Sequence, residues 1–585
     1  MANVLSRSQR LTALRQLAGQ TTPVLIVGGG INGISTFREL ALQGIPAILV
    51  EKGDWCQAAS GALSRMIHGG LRYLETGEFK LVKESVTERN RLLKNAPHYV
   101  FPLRTTVPID SLGGGLISAT RRFLRLSDAP ARRGALLIKT GLSLYDIYTQ
   151  QNGTMPKHQV CGKAATRRRW PGFAQWAKYS ASYYDAWISA PERLGFELIE
   201  DAEQSCPQAL ALNYMEVIGS DGVSITLRDS LSGESFSLRP QVLVNAGGAW
   251  IDNLNQRLAP TTAKKLIGGT KGSHLIVDHS ELLQMLDGEM VYFENQEGRV
   301  CIMFPWFGKV LIGSTDIRID DPDAAICEQS EKNYILESLR FVFPQVVVPD
   351  SAILYSFCGV RPLPASDAKV NGQISRNHSL VLLPPAADHG WSTLCLVGGK
   401  WTTFRRFGEQ AADRVLSLLG LGRTQSSAEL AIGGGRDLPA PEAQDSWQRQ
   451  LAAQHSTPLP RVTQLVQRYG SRALMLLDEI RQHGEQPLQY HAGYSDTELH
   501  FLIIHEQVCE LEDLLVRRTS LAICGELTPA LIEEISLLAA APLGWSEHQR
   551  QQHLQQCCRQ LARLHGLTGL YPTLFQEETR HVSNQ

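Results

Sequence analysis

An α/β fold with a helical C-terminal part is predicted by three observations. A short β-branched run, Pro23-Val24-Leu25-Ile26-Val27, ends in Gly28-Gly29-Gly30-Ile31-Asn32-Gly33. Ile34 to Gln43 then has helical character, and a Gly44 stop is followed by Ala47-Ile48-Leu49-Val50 and Glu51. Strand, turn, helix, strand and acid in that order make a βαβ unit that opens a parallel sheet. Beyond about residue 445 the apolar spacing becomes heptad-like, as in Leu499-Phe501-Leu502-Ile503-Ile504 and Leu511-Leu514-Leu515, which predicts helices.

At 585 residues the chain exceeds a single core, and roughly two to four domains are expected. Residues 1–20 form an N-terminal segment. Residues 105–350 mix strand-like runs, such as Val242-Val244 and Lys309-Ile312, with loops and show no clean βα alternation. Gly433-Gly434-Gly435 and Pro439-Ala440-Pro441 punctuate residues 421–446 as a linker does, which leaves 447–585 as a helical domain.

Composition narrows the function. Hydrophobic residues at 43% and charged residues at 20% exclude a mainly disordered chain. Lys plus Arg number 57 against 58 Asp plus Glu, so no global field would hold the protein on nucleic acid. The 11 cysteines include no CxxC pair, which points to reduced thiols in a cytoplasmic compartment and to no metal site. The first 20 residues lack the apolar core of a secretory signal, and no run of about 18 apolar residues would span a membrane.

Gly28-x-Gly30-x-x-Gly33 supplies what a pyrophosphate requires: a tight turn, a bare backbone and a helix N-terminus that favours anions. Glu51, 18 residues after Gly33, can bind ribose hydroxyls and would repel a 2′-phosphate. The fingerprint alone leaves NAD and FAD open. Gly113-Gly114-Gly115 and Gly433-Gly434-Gly435 lack the strand and helix context, so one dinucleotide site is visible. A flavin enzyme that passes electrons to something other than a pyridine nucleotide needs only one.

Further motifs follow in order: Ile67-His68-Gly69-Gly70-Leu71-Arg72-Tyr73-Leu74-Glu75, Asn245-Ala246-Gly247-Gly248-Ala249-Trp250, Lys271-Gly272-Ser273-His274, Gly313-Ser314-Thr315-Asp316, Gly359-Val360-Arg361-Pro362-Leu363 and Gly398-Gly399-Lys400-Trp401-Thr402-Thr403-Phe404-Arg405. His505-Glu506 and Glu512-Asp513 with Arg517-Arg518-Thr519 complete the series. Together they resemble the FAD-dependent glycerol-3-phosphate dehydrogenase and oxidase family over most of the chain.

The resemblance implies a Rossmann-like FAD-binding domain (about 21–104, 190–255 and 355–420) interleaved with an α+β substrate domain (about 105–189 and 256–354), followed by the helical C-terminal domain. It implies oxidation of the secondary alcohol of glycerol 3-phosphate, or a related polyol phosphate, to the ketone. The ketone from glycerol 3-phosphate is dihydroxyacetone phosphate. Hydride would pass to flavin N5 and electrons on to a quinone or similar acceptor. Arg72, Tyr73, Arg361, Arg376 and Lys400 match substrate-site positions, and His274 matches the histidine near the reacting carbon. His274, Arg361 and Lys400 are the implied catalytic groups. The expected FAD contacts are Gly28, Gly30, Asn32, Gly33, Glu51 and Lys52 in the fingerprint unit, and Ser60, Ser64, His68, Gly69, Gly70 and Leu71 in the next loop. Further along they are Ala246, Gly247, Thr315, Asp316, Gly399, Lys400 and Thr402.

The chemistry agrees. Hydride loss requires the hydroxyl proton to leave as well, for which His274 or Lys400 could serve as base or neighbouring cation. Arginine forks suit phosphate oxygens. Without the resemblance, His274 reads as a core histidine and the arginines as structural ion pairs.

Two departures bear on function. The family's Ser/Thr-rich, arginine-bearing loop is replaced by Ala58-Ala59-Ser60-Gly61-Ala62-Leu63-Ser64-Arg65, and Ala190-Pro191-Glu192-Arg193 stands where an acidic pair is usual. A longer polyol phosphate is therefore a serious alternative to glycerol 3-phosphate. Residues 112–139 form an insertion in which Arg121, Arg122, Arg125, Arg132, Arg133 and Lys139 alternate with apolar residues. Such composition suits peripheral contact with the cytoplasmic face of a membrane, a solvated helix or a subunit contact, including a homodimer. Two further alternatives are a 2-hydroxy-acid or amino-acid oxidase of the same fold and a noncatalytic flavin-binding protein.

Overall fold

A computed structural model describes residues 5–70, 78–111, 155–260, 264–366, 377–386 and 389–571. Leu71, Arg72, Tyr73, Arg376 and the basic segment 112–139 lie outside the described residues.

The expected βαβ unit is present: strand Thr21–Val27, helix Ile31–Ala41 and strand Ala47–Val50. Val24, Leu25 and Ile26 are each fully buried, as a central parallel strand covered on both faces requires. At about 1.5–3 kcal/mol per buried aliphatic side chain, such a run anchors the domain. Parallel pairing extends from Thr21–Val27 to Ala47–Val50 and Leu210–Leu212 on one side, and to Ser235–Asn245 and Ser392–Val397 on the other. The helix Ile31–Ala41 packs against Phe404–Leu418, where a Cβ at Gly408 would collide with Ser35. This first sheet thus draws strands from three separate stretches of sequence.

The second sheet is mixed and ten-stranded. Its central order runs Thr270–Val277, Lys309–Gly313, Val300–Trp306, Met290–Glu294, Val100–Ile109, Tyr179–Ile188. Strand Ile353–Arg361, which falls mostly within the flavin part expected at 355–420, pairs antiparallel with Thr270–Val277 and belongs to this second sheet. Met66–Ile67 and the first half of Val100–Ile109, which fall in the flavin part expected at 21–104, also join it. Pairing between distant strands decides this assignment, and local pattern carries no record of it.

Residues 421–446 are packed rather than strung between domains. Gly433–Gly435 forms a short 3-10 turn, and Cβ atoms there would collide with Glu197 and the Tyr469 carbonyl. The helices that follow bury Leu499, Leu502, Leu514, Leu515, Leu531 and Ile535 in one core shared with Tyr355 and Phe357 of the second sheet. Two ionic locks join this helical domain to the first. Asp54 accepts from Arg517 Nε at 2.6 Å and from both terminal nitrogens of Arg518 at 2.8 and 2.9 Å. Arg193 forks onto Glu506 through two 2.7 Å bonds.

Candidate active site

A cavity of about 610 Å³ lies where the carboxyl ends of the first sheet, the second sheet and the helical domain meet. Switch points at strand ends of this kind are where open α/β folds bind ligands. Gly28, Gly30, Asn32, Glu51, Lys52, Ser60, Ala246, Gly247, Gly399 and Lys400 line it, and the sequence assigns all ten to the cofactor.

The fingerprint glycines are there for steric reasons. Gly28 has φ +118°, and a Cβ on it would strike the Ala246 carbonyl. A Cβ on Gly33 would strike the Gly28 carbonyl, so the helix could not approach the turn. Gly30 is the N-cap and brings no side-chain cap. The helix end therefore meets the cavity as bare backbone, with Ile31 N donating to Ser60 Oγ at 2.9 Å. The Glu51 carboxylate accepts from Gly29 N at 2.7 Å and Gly53 N at 2.9 Å, and burial pushes its pKa up.

The opposite rim is built by residues 398–403. Asn32 Nδ2 donates to the Gly398 carbonyl at 3.1 Å, and a Cβ on Gly399, at φ +106°, would crowd that amide. Lys400 follows, and Thr402 is buried in the 3-10 turn Trp401–Thr403. Trp401 Nε1 donates to the Ser60 carbonyl at 3.0 Å, tying this rim to the small-residue loop. Glu84 stands in the electrostatic range of Lys400; burial and Glu88 push its pKa up, while Arg406 and Lys400 oppose the rise.

The second sheet contributes a row of side chains. Register pairs Thr270 with Arg361, Gly272 with Gly359, His274 with Phe357 and Ile276 with Tyr355, and the period of two puts all of them on one face. Glycine at 272 leaves the space that the Arg361 guanidinium fills, and glycine at 313 leaves the space of the His274 ring. His274 stacks on Phe357 and is only 2% exposed. Among the described residues neither ring nitrogen has a hydrogen-bond partner. Burial, then the charges of Arg361, Arg299 and Arg65, hold its pKa down at about 3, so the ring is neutral. Arg361 and His274 do not themselves line the cavity, but Phe357, Val360 and Pro362 beside them do.

Other expected contacts take different places. Thr315 Oγ1 accepts from Ser273 N and donates to Glu331, while Asp316 pairs with Arg361 and Arg299. Gly69 N donates to Asp185 at 2.8 Å. Ser64, His68, Gly69, Gly70, Gly33, Thr315, Asp316 and Thr402 are not among the described lining residues.

These features fit FAD: a bare helix N-terminus for the pyrophosphate, the Glu51 carboxylate for ribose, and a cavity between two sheets. The family model for FAD-dependent oxidoreductases matches residues 23–405, and that for the C-terminal domain of alpha-glycerophosphate oxidase matches 425–550. A glycerol-3-phosphate dehydrogenase of Synechocystis is 30% identical over 91% of this chain and 95% of its own length. The chain belongs to the FAD-dependent glycerol-3-phosphate dehydrogenase and oxidase family. It is an FAD-dependent oxidoreductase. Among its relatives a D-erythritol 1-phosphate dehydrogenase of Brucella abortus is 27% identical over 86% of this chain and 94% of its own. The glycerol-3-phosphate dehydrogenase structure from Bacillus halodurans shares the fold, with TM-score 0.72 at 22% identity, covering 95% of this chain and 98% of that one.

Several residues of this family member's site escaped sequence reasoning. Trp250 stacks under Lys52 at 4.3 Å and donates to Asp323 at 3.1 Å, although the motif that contains it was visible. Glu192 takes a bidentate grip from Arg65 at 2.7 and 2.8 Å inside the cavity. His565, stacked on Tyr355 and held by burial at a pKa of about 4, comes from the last described helix and bears no local signal.

Proposed function

We propose that the protein oxidises the secondary alcohol of glycerol 3-phosphate to dihydroxyacetone phosphate and passes the electrons to a quinone or similar acceptor. The observation that carries this reading is the shared face of His274 and Arg361, beside a dinucleotide cradle whose other rim holds Lys400.

Bound FAD supplies the acceptor for the hydride that leaves the carbinol carbon. The lining residues Gly28, Gly30, Asn32 and Ser60 would hold its pyrophosphate end, and Glu51 and Lys52 would face the ribose side. Arg361 would take two oxygens of the substrate phosphate through its fork. Arg72, Tyr73 and Arg376, assigned to the substrate by resemblance, lie outside the described residues. His274, neutral and without a hydrogen-bond partner among the described residues, is suited to receive the hydroxyl proton at a ring nitrogen. Lys400 adds positive charge where negative charge develops on the oxygen. The helical domain closes the cavity with Glu512, Val516, Arg517 and Ile523, which keeps bulk water from one side.

A longer polyol phosphate is a second reading. The small residues Ala58, Ala59, Gly61 and Ala62 line the cavity beside the paired Glu192 and Arg65, which leaves room there for a longer chain. The mixed basic and apolar residues of 112–139 support contact with a membrane surface, where a quinone resides. The described residues contain no helix long and apolar enough to cross a membrane.

Anaerobic mixing of the FAD-loaded protein with glycerol 3-phosphate, tetritol phosphates, free polyols and 2-hydroxy acids tests the reading. Flavin absorbance should be lost only with the phosphates. Loss with a carboxylate substrate, or with none of the panel, would overturn it.

A further inference from the structure

Three arginines surround the face that bears His274, and one of them belongs to none of the motifs. Arg65 is committed to Glu192. Arg361 and Arg299 converge on a single turn, residues 314–316. Arg361 reaches it through long bonds: 3.3 Å to the Thr315 carbonyl, 3.2 Å to Asp316 and 3.3 Å to Ser314 Oγ. Arg299 holds the same turn more tightly. Its Nε donates to the Ser314 carbonyl at 3.0 Å, its Nη2 to the Thr315 carbonyl at 2.6 Å, and its Nη1 lies 2.7 Å from Asp316 Oδ2.

We propose that Arg299 is a positioning residue for the dehydrogenation: it fixes the 314–316 turn against which the Arg361 fork is aimed, and it keeps a positive charge directed at the His274 ring. This rests on reading Arg361 as the phosphate clamp and His274 as the base. The turn has no regular pairing of its own between strands Lys309–Gly313 and Ile317–Arg318, so its position depends on side-chain bonds. A guanidinium that donates to two successive carbonyls and a carboxylate locks three residues at once, which an ammonium cannot do. Asp316 is 3% exposed along its side chain, so its bonds to both arginines form away from water and hold the two cations in one unit.

The charges facing His274 come from three elements. Arg361 stands on the neighbouring strand, Arg299 at the start of Val300–Trp306 and Arg65 in the 58–65 loop, with Asp316 and Glu192 as their carboxylates. Phe357, stacked on the ring, and Gly313, beside it, carry no charge. Each positive charge opposes protonation of the buried imidazole, and a protonated ring could not accept the hydroxyl proton. Arg299 therefore bears on both groups, through the aim of the clamp and through a charge that faces the base.

Two variants in the FAD-loaded protein separate these effects. Arg299→Met removes charge and fork; Arg299→Lys keeps the charge and loses the fork. The His274 ring is followed by NMR of histidine-labelled protein without substrate, with His274→Gln giving the assignment. A rise of about one unit would take the ring at about pH 4 from roughly a tenth protonated to about half in Arg299→Met, with little change in Arg299→Lys. KM for glycerol 3-phosphate should rise about tenfold or more in both, with flavin absorbance retained. An unmoved His274 titration in Arg299→Met, or an unmoved KM in both variants, overturns the proposal. If the titration and KM move but the pH dependence of flavin bleaching does not follow the ring, the proposal stands and the reading of His274 as base fails. Should Arg299→Met not fold, Arg299→Lys alone decides through KM.

Discussion

His274 and Phe357 lie ring on ring, centroids 5.1 Å apart and planes within 10°, on directly paired positions of adjacent strands. The orientation of the imidazole is thereby set by β pairing and by the missing side chain at Gly313, not by a hydrogen bond. Both ring nitrogens stay without a hydrogen-bond partner among the described residues. His274→Gln should retain FAD and its absorbance while slowing flavin bleaching by glycerol 3-phosphate about 10²–10⁴-fold. Wild-type bleaching rates would remove His274 from the chemistry.

The pH dependence of that step follows from burial. An ordinary histidine would lose its base function as pH falls through about 6.5. Burial and the facing arginines hold the His274 pKa near 3, so protonation sets in only far below neutrality. The bleaching rate at saturating substrate should stay level between about pH 7 and 5. An acid limb with a midpoint near 6.5 would assign the proton transfer to another group.

Arg361→Ala should leave the fold intact, since Asp316 keeps Arg299 at 2.7 Å. It should raise KM and lower kcat together, because a two-point phosphate contact also orients the reacting carbon. Loss of a charged, bidentate contact is worth about 3 kcal/mol, or roughly 100-fold in kcat/KM. Steady-state kinetics with glycerol 3-phosphate measure it, and unchanged constants would move the phosphate elsewhere.

The parts of this molecule legible in the sequence are those whose physics is local. Gly28, Gly33 and Glu51 announce a nucleotide turn because backbone clash and helix-end polarity act within thirty residues. The α/β fold and the helical C-terminal domain followed from such local patterns, whereas FAD dependence came from the family resemblance that the ordered motifs carry. What was not legible is pairing at a distance. Nothing near Ile353–Arg361 says that it joins Thr270–Val277, and that register alone sets Arg361 and His274 on one face. Arg299 and His565 are single residues without a motif, given meaning only by a turn and a tyrosine brought to them by folding. Asp54, three residues after Glu51, belongs to no motif, and the two arginines that close on it are more than 460 positions away.

The fingerprint makes its own prediction. At Gly28 the backbone is left-handed at φ +118° and a Cβ would meet the Ala246 carbonyl, so Gly28→Ala cannot be absorbed by a side-chain movement. The turn must shift, and with it the approach of the pyrophosphate to the helix end. The variant should purify largely colourless, with FAD affinity lowered about 100-fold or more by fluorescence titration. A yellow protein with wild-type affinity would place the dinucleotide away from this turn.

Asp54 predicts how the helical domain is held. Burial alone would raise its pKa, but the charges of Arg518 and Arg517 outweigh burial and hold it below the ordinary carboxylate value. A carboxylate whose folded pKa is depressed contributes stability above its unfolded value of about 3.9, and loses that contribution as pH falls through the folded one. Asp54→Asn keeps the shape and removes the charge, leaving two fully buried guanidiniums to share Glu512, Asp513 and Glu506. Breaking such a pair costs about 3–5 kcal/mol. At pH 7 the variant should melt roughly 5 °C or more below the wild type. The gap should narrow as the pH is lowered below about 4, where the carboxylate takes up its proton in the unfolded chain while the folded one stays ionised. Because Asp54 also shapes the loop that follows Glu51, FAD should leave the variant at its lower melting temperature, so that flavin fluorescence and unfolding rise together. Coincident melts of the two proteins at pH 7 would mean that the lock carries no net stability and that the apolar seam around Phe357, Ile523 and Leu514 holds the domains by itself.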